Sequence, residues 1–142
     1  EATDEESKEL FEECKKKLKK NLVFHGFVSG EERDCIYKNA DIMILPSYGE
    51  GLPMVILEAF SAGCAVISTN VGAIPEILKE ENGTIIEPGD IDALSQAISF
   101  YIDNPKTLLR IQKNNFQYSS KFTCEEFIYR VSDACKKGDN SE

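Results

Sequence analysis

Residues 41–68 read DIMILPSYGEGLPMVILEAFSAGCAVIS, and the order of apolar runs within them decides the fold. Residues 41–45 form a short run, continuously apolar after Asp41 and stopped by Pro46. Such a run, without polar alternation, predicts a strand buried on both faces. Residues 52–62 are too long for one strand and predict a helix, with Pro53 suited to its first position and Gly63 to its exit. Residues 64–68 predict a second strand. Strand, helix and strand in that order make a βαβ unit, whose two strands run parallel.

The alternation continues outward in both directions. Upstream, residues 3–20 place Leu10, Phe11, Cys14 and Leu18 at helical spacing, with charges between them. Residues 22–27 predict a strand, and Ser29 with Glu32 fits a capping box for a helix through Tyr37. Downstream, Pro75 opens a short helix to about Lys79, and residues 83–86 predict the last strand. Three helices follow, the first capped by Asp90, the second starting at Asn104-Pro105, the third capped by Thr123 with Glu126. Gly138 closes the third, and residues 139–142 are expected to be a loose tail. The fold class expected is α/β, a Rossmann-like parallel sheet with helices on both faces.

In such folds ligands bind outside the carboxyl ends of the strands. That rule marks residues 27–30, 46–51, 68–72 and 87–90 before any ligand is considered. Bulk properties narrow the ligand. The 142 residues carry a net charge of -9, which argues against general affinity for nucleic acid or anionic lipid. The basic run at residues 15–20 goes against that balance and reads as a solvated helix face, so membrane contact is not expected of this part. Five cysteines at irregular gaps, with no CxxC pair, suggest reduced thiols and a cytoplasmic setting. His25 is the one histidine; it is expected to be a packed or hydrogen-bonded strand residue, and a His-based metal site or Ser-His-Asp triad cannot be assembled from it.

The helix of residues 52–62 contains one ionisable side chain, Glu58. An unpaired carboxylate in a buried helix would cost several kcal/mol or would protonate. Glu58 must therefore reach water or have a dedicated partner, for which Lys38 and Lys79 are candidates in a purely structural ion pair. Glu50 precedes the helix between Gly49 and Gly51, which allow unusual backbone angles and close approach of a ligand. With Pro53 in the first helical position, the amides of Met54 and Val55 are free donors at the positive helix end, an anion site suited to a diphosphate. Glu58 lies roughly 7.5 Å further along the axis. Acid, anion site and acid match the order hexose hydroxyls, diphosphate and ribose hydroxyls in a sugar nucleotide.

The segment resembles the E-x7-E motif of retaining glycosyltransferase family 4, a family with the two-domain GT-B fold. Its glutamates fall on Glu50 and Glu58, with Pro46-Ser47, Glu50-Gly51, Leu57-Glu58-Ala59 and Ala62-Gly63 around them. Residues 71–76 (VGAIPE), 83–90 (GTIIEPGD) and 21–28 (NLVFHGFV) resemble further signatures of the same donor-binding domain. The resemblance implies that Glu50, the catalytic candidate, holds hydroxyls of the transferred sugar, and that Glu58 holds the ribose. Amides around Gly51, Leu52, Pro53, Met54 and Val55 would meet the diphosphate, and the backbone at Phe27 and Val28 the base. The donor would be a UDP- or GDP-sugar, as substrate, with no metal or other cofactor.

By the same resemblance residues 1–138 are a partial C-terminal nucleotide-sugar-binding domain. The basic Arg/Lys pair of the family, two strands of the sheet and the acceptor domain are missing. The chain alone is then expected to be inactive, its partner being the missing N-terminal domain, another polypeptide, or a second copy at an exposed sheet edge. The full-length enzyme could sit peripherally on a membrane. Two other readings fit less of the sequence: a non-catalytic nucleotide-sugar-binding or assembly module, and a receiver-type signalling domain, which lacks the acidic cluster after its first strand.

Overall fold

A computed structural model describes residues 5–120. The expected third C-terminal helix, the tail at 139–142, Cys124 and Cys135 lie outside them. The chain divides into two compact units between Arg33 and Asp34.

In the first unit, α1 (Glu5–Leu18) has Lys15, Lys16 and Lys17 in its last turn, where cations oppose the negative helix end. Lys15 and Lys17 pair with Glu12 and Glu13 one turn back, and Lys15 Nζ lies 4.4 Å from the centre of the Phe11 ring. Phe11 in turn meets Phe24 edge-on at 4.7 Å. A 3-10 turn, Lys19–Asn21, ends the helical stretch. The strand expected at residues 22–27 is not formed. Leu22 is extended, but a strand also requires a hydrogen-bonded neighbour, and this segment pairs with none. Its apolar side chains are accordingly open, Phe27 to 97%. His25 is exposed rather than packed. The division falls within α2 (Gly30–Lys38), which has Glu31 and Glu32 in its first turn and Lys38 in its last, as the helix dipole favours.

The second unit holds a parallel sheet of three strands in the order β1 (Ile42–Leu45), β2 (Ala65–Thr69) and β3 (Gly83–Ile86). Between the first two runs α3 (Met54–Ala62), and between the last two α4 (Ile74–Ile77). β2, the central strand, is buried along its whole length. Alternate residues of β2 feed two cores. Val66 packs with Ile56, Phe60, Ile74 and Leu78 on one face. Ala65 and Ile67 pack with Ala97, Tyr101 and Ile111 on the other, from α5 (Ile91–Asp103) and α6 (Pro105–Ser119). Helices therefore cover both faces, as expected. β1 departs from expectation: only its β2 side is paired, and Ile44 remains 40% exposed. The run that reads as a doubly buried strand is an edge strand.

Local chemistry sets the helix ends. Gly63 takes φ 81° and closes α3, and the next amide, of Cys64, donates to Ala59 O at 2.9 Å. Asp90 caps α5 by accepting from the Ala93 amide at 2.8 Å. Asn104 precedes Pro105 as expected but does not cap α6; its side chain donates to Phe100 O of α5. α6 is tied down by Asn115, fully buried, whose amide donates to Cys64 O (2.7 Å) and Asn82 O (2.8 Å) and whose Oδ1 accepts from Asn82 Nδ2 (2.8 Å). The Cys64 thiol points to Tyr37 O and Ala40 O. Burial, with Asp41 nearby, pushes its pKa above the ordinary 9.0 and keeps it a thiol donor.

Candidate functional site

Because the three strands are parallel, their carboxyl ends meet at one rim, the ligand-binding end of such sheets. The end of β2 ties its neighbours together there. Ser68 Oγ donates to Leu45 O at 2.8 Å, and Thr69 Oγ1 to Ser47 O at 2.6 Å. The next amide, of Asn70, donates to Ile86 O at 2.9 Å, while its side chain reaches Glu87 Oε1 at 3.2 Å. Of these two buried hydroxyls, Ser68 fixes the end of β1 and Thr69 the loop after it, while Asn70 fixes the turn after β3. Tyr48 spans the same two loops: its hydroxyl lies about where a Cβ on Gly89 would crowd it, at 3.3 Å.

Glu50 is half-buried in this rim. Its Oε1 accepts from Ser47 Oγ at 2.6 Å. Its backbone is held from the other side by the loop after β2. There Gly72 takes φ +53°, and a Cβ on it would sit 2.0 Å from Glu50 O. Only glycine fits that place. The following amide, of Ala73, donates to Gly51 O at 3.1 Å.

α3 starts later than expected. Pro53 is its N-cap, with ψ 100°, and Met54 is the first helical residue. The Ile56 amide already bonds Pro53 O. Met54 and Val55 therefore present the first two helical amides, which have no carbonyl within the helix to bond. Both side chains are exposed, at 55% and 38%, and Leu52 at 46%. The expectation of a helix buried all round is thus corrected: α3 buries Ile56, Ala59 and Phe60 and opens the opposite side. Glu58, one turn beyond Met54 and Val55, lies on that side half-buried. Half-burial spares it the full cost of a carboxylate in an apolar interior.

Electrostatically the rim is one-sided. Residues 43–78 and 82–90 contain no lysine or arginine, but they include Glu50, Glu58, Glu76, Glu87 and Asp90. Positive potential for an anion comes from the helix N-terminus alone within these residues. Among the described residues no group of three or more His, Cys, Asp and Glu could hold a metal ion. Sizeable hollows lie elsewhere on this unit. One of about 380 Å³ sits near Asp41 and Gln112, and one of about 590 Å³ lies beside β3, Tyr101 and Arg110. The rim is picked out by its loops and charges rather than by a deep cavity.

Of the residues singled out in the sequence, the structure gathers Glu50, Gly51, Leu52, Pro53, Met54, Val55 and Glu58 in one loop and helix start. Phe27 and Val28 belong to the other unit, Phe27 almost wholly exposed and Val28 half-buried. Sequence reasoning assigned no role to Ser47, Tyr48, Thr69 or Asn70. Their position at strand ends was the available signal, and it does not distinguish a hydroxyl that holds a glutamate from one that meets water.

A parallel sheet with helices on both faces belongs to the open α/β class, which takes its ligands at its carboxyl rim. Within that class the chain belongs to the glycosyl transferases group 1 family, whose model matches residues 3–118. A glycosyltransferase of Methanocaldococcus jannaschii is 37% identical over 82 residues, 57% of this chain and 21% of that protein. The chain spans about a fifth of that relative's length. The solved C-terminal domain of a glycosyl transferase group 1 family protein from Francisella tularensis is 32% identical, with TM-score 0.71 over 82% of this chain and 61% of that one. Anabaena HepE, solved with UDP-glucose, is similar in fold, with TM-score 0.80 at 21% identity over 95% of this chain and 38% of that one. These solved structures share the chain's α/β fold. Among the described residues no helix is long and apolar enough to cross a membrane.

Proposed function

We propose that this chain is the donor-binding portion of a retaining family 4 glycosyltransferase, which moves a hexose from a UDP- or GDP-sugar to an acceptor in glycan or polysaccharide synthesis. One observation carries the reading: Glu50 and Glu58 flank the open amides of Met54 and Val55 at the sheet's ligand-binding end. Glu50 accepts hydrogen bonds from hydroxyls of the transferred sugar, and Glu58 from those of the ribose. The first amides of α3 face the diphosphate, where preorganised donors stabilise charge on the leaving group. No metal takes part.

Residues 43–78 and 82–90 offer no lysine or arginine to the diphosphate, and this supports the view that the chain alone does not turn over. A partner supplies the missing groups, either the acceptor domain or strands added at the open edge of β1, with a second copy as one source. The free thiols of Cys14, Cys35 and Cys64 fit a cytoplasmic setting. The acid-only rim also favours one other reading, a module that binds nucleotide-sugar without catalysis.

Calorimetry with UDP-glucose and GDP-mannose tests the binding claim. Glu58→Ala is expected to weaken donor binding at least about tenfold, the usual effect of removing a charged hydrogen-bond acceptor. Unchanged affinity in that variant sinks the ribose role. Donor hydrolysis by the chain alone would contradict its assignment as incompetent, and a fully extended protein that binds donor without transfer would favour the non-catalytic module.

A further inference from the structure

We propose that Ser47 is a positioning residue for the donor sugar: its hydroxyl fixes the Glu50 carboxylate, and Thr69 fixes Ser47. The proposal rests on the reading of Glu50 as the acid that faces the sugar.

Little else restrains the Glu50 side chain. Its neighbours are Gly49 and Gly51, and a Cβ built on either would meet open space. A glutamate in such a loop has several rotamers within reach, and each one lost on binding weakens the ligand. Ser47 removes that freedom. Its Oγ donates to Glu50 Oε1 at 2.6 Å, the length of a charge-assisted O–H···O⁻ bond.

The donor is itself anchored. Ser47 O accepts from Thr69 Oγ1 at 2.6 Å, and Thr69 is fully buried at the end of the central strand. On the far side, Gly72 abuts Glu50 O, and Ala73 N–H holds Gly51 O. Main chain and one carboxylate oxygen are thus fixed to β2 and its following loop. Oε2 makes no hydrogen bond among the described residues and is left to accept from a ligand hydroxyl. The Ser47 hydroxyl keeps lone pairs that accept from a neighbouring sugar hydroxyl. The two side chains form a short acceptor pair for adjacent hydroxyls, presented by a strand rather than by a mobile loop.

The readout is the affinity of a nucleotide-sugar relative to its bare nucleotide, measured by calorimetry for UDP-glucose against UDP and GDP-mannose against GDP. Ser47→Ala is expected to reduce the sugar's contribution about tenfold and leave the affinity for the bare nucleotide unchanged. Ser47→Thr, which keeps the hydroxyl, is expected to restore it. Glu50→Gln sets the scale, and adding Ser47→Ala to it should cost little more, since both remove one coupled unit. Thr69→Val should act as Ser47→Ala does, more weakly.

If Glu50→Gln leaves the ratio untouched, or if the wild-type chain binds neither pair, the reading of Glu50 fails and the proposal falls with it. If Glu50→Gln collapses the ratio while Ser47→Ala does not, the Ser47 proposal alone is overturned. Loss of bare-nucleotide affinity in Ser47→Ala, equal to the loss for the sugar-nucleotide, would mark a merely structural role and overturn it as well.

Discussion

Gly72 bears the tightest constraint at the rim. It needs a left-handed backbone and no side chain, because Glu50 O fills the place of its Cβ. Gly72→Ala is expected to push residues 50–51 away, weakening donor binding at least about tenfold and lowering stability by about 1–3 kcal/mol. Donor titration and urea unfolding of the variant check both effects; wild-type values in both would disprove the contact. Glu50 and Glu58 were legible in the sequence because each is out of place, one between two glycines and one in an apolar helix. Ser47 and Thr69 were not, since their roles depend on the register of β2 against β1, which no local pattern encodes. His25 misled for the converse reason: an apolar run predicts burial only where a neighbouring strand provides it.

At the scale of elements, the short apolar runs at β1, β2 and β3 and the caps at Gly63 and Asp90 could be read almost to the residue. What failed was the state of residues 22–27 and the burial of β1, both of which depend on sheet neighbours rather than on the run itself. The start of α3 moved by two residues because Pro53 caps the helix instead of entering it. The docking of α6 was invisible beforehand. It depends on Asn115, whose amide serves Cys64 O and Asn82 while Asn82 Oδ1 is left buried without a protein partner. Asn115→Ala removes three hydrogen bonds and strands two carbonyls, which should cost about 3 kcal/mol. Asn82→Ala removes one bond together with the unsatisfied acceptor, and should cost about 1 kcal/mol. Urea midpoints of the two variants test the difference, and equal losses would refute this account of the helix docking.

For the molecule as a whole, charge decides how a donor is met. A net charge of -9 and an acid-only rim repel a diphosphate at long range. Added salt screens that repulsion. Nucleotide-sugar affinity of this chain is therefore expected to hold or rise as sodium chloride is raised, whereas a site built on lysine and arginine loses affinity. Calorimetry across a salt series decides; a steep fall would mean that cations outside residues 43–78 and 82–90 already hold the diphosphate. The same charge balance was readable from composition, and so was the class of fold. Where the cations reside was not, because it depends on which chain segments reach the rim.

The bond from Ala73 N–H to Gly51 O has a spectroscopic consequence. Ala73 belongs to a different loop from the glutamates, yet its amide proton is tied to the residue next to Glu50. Any donor that shifts that peptide should move the Ala73 nitrogen-15 and proton resonances and slow the exchange of that proton with deuterium, although the ligand need not touch Ala73. One backbone signal would then serve as an intrinsic gauge of occupancy.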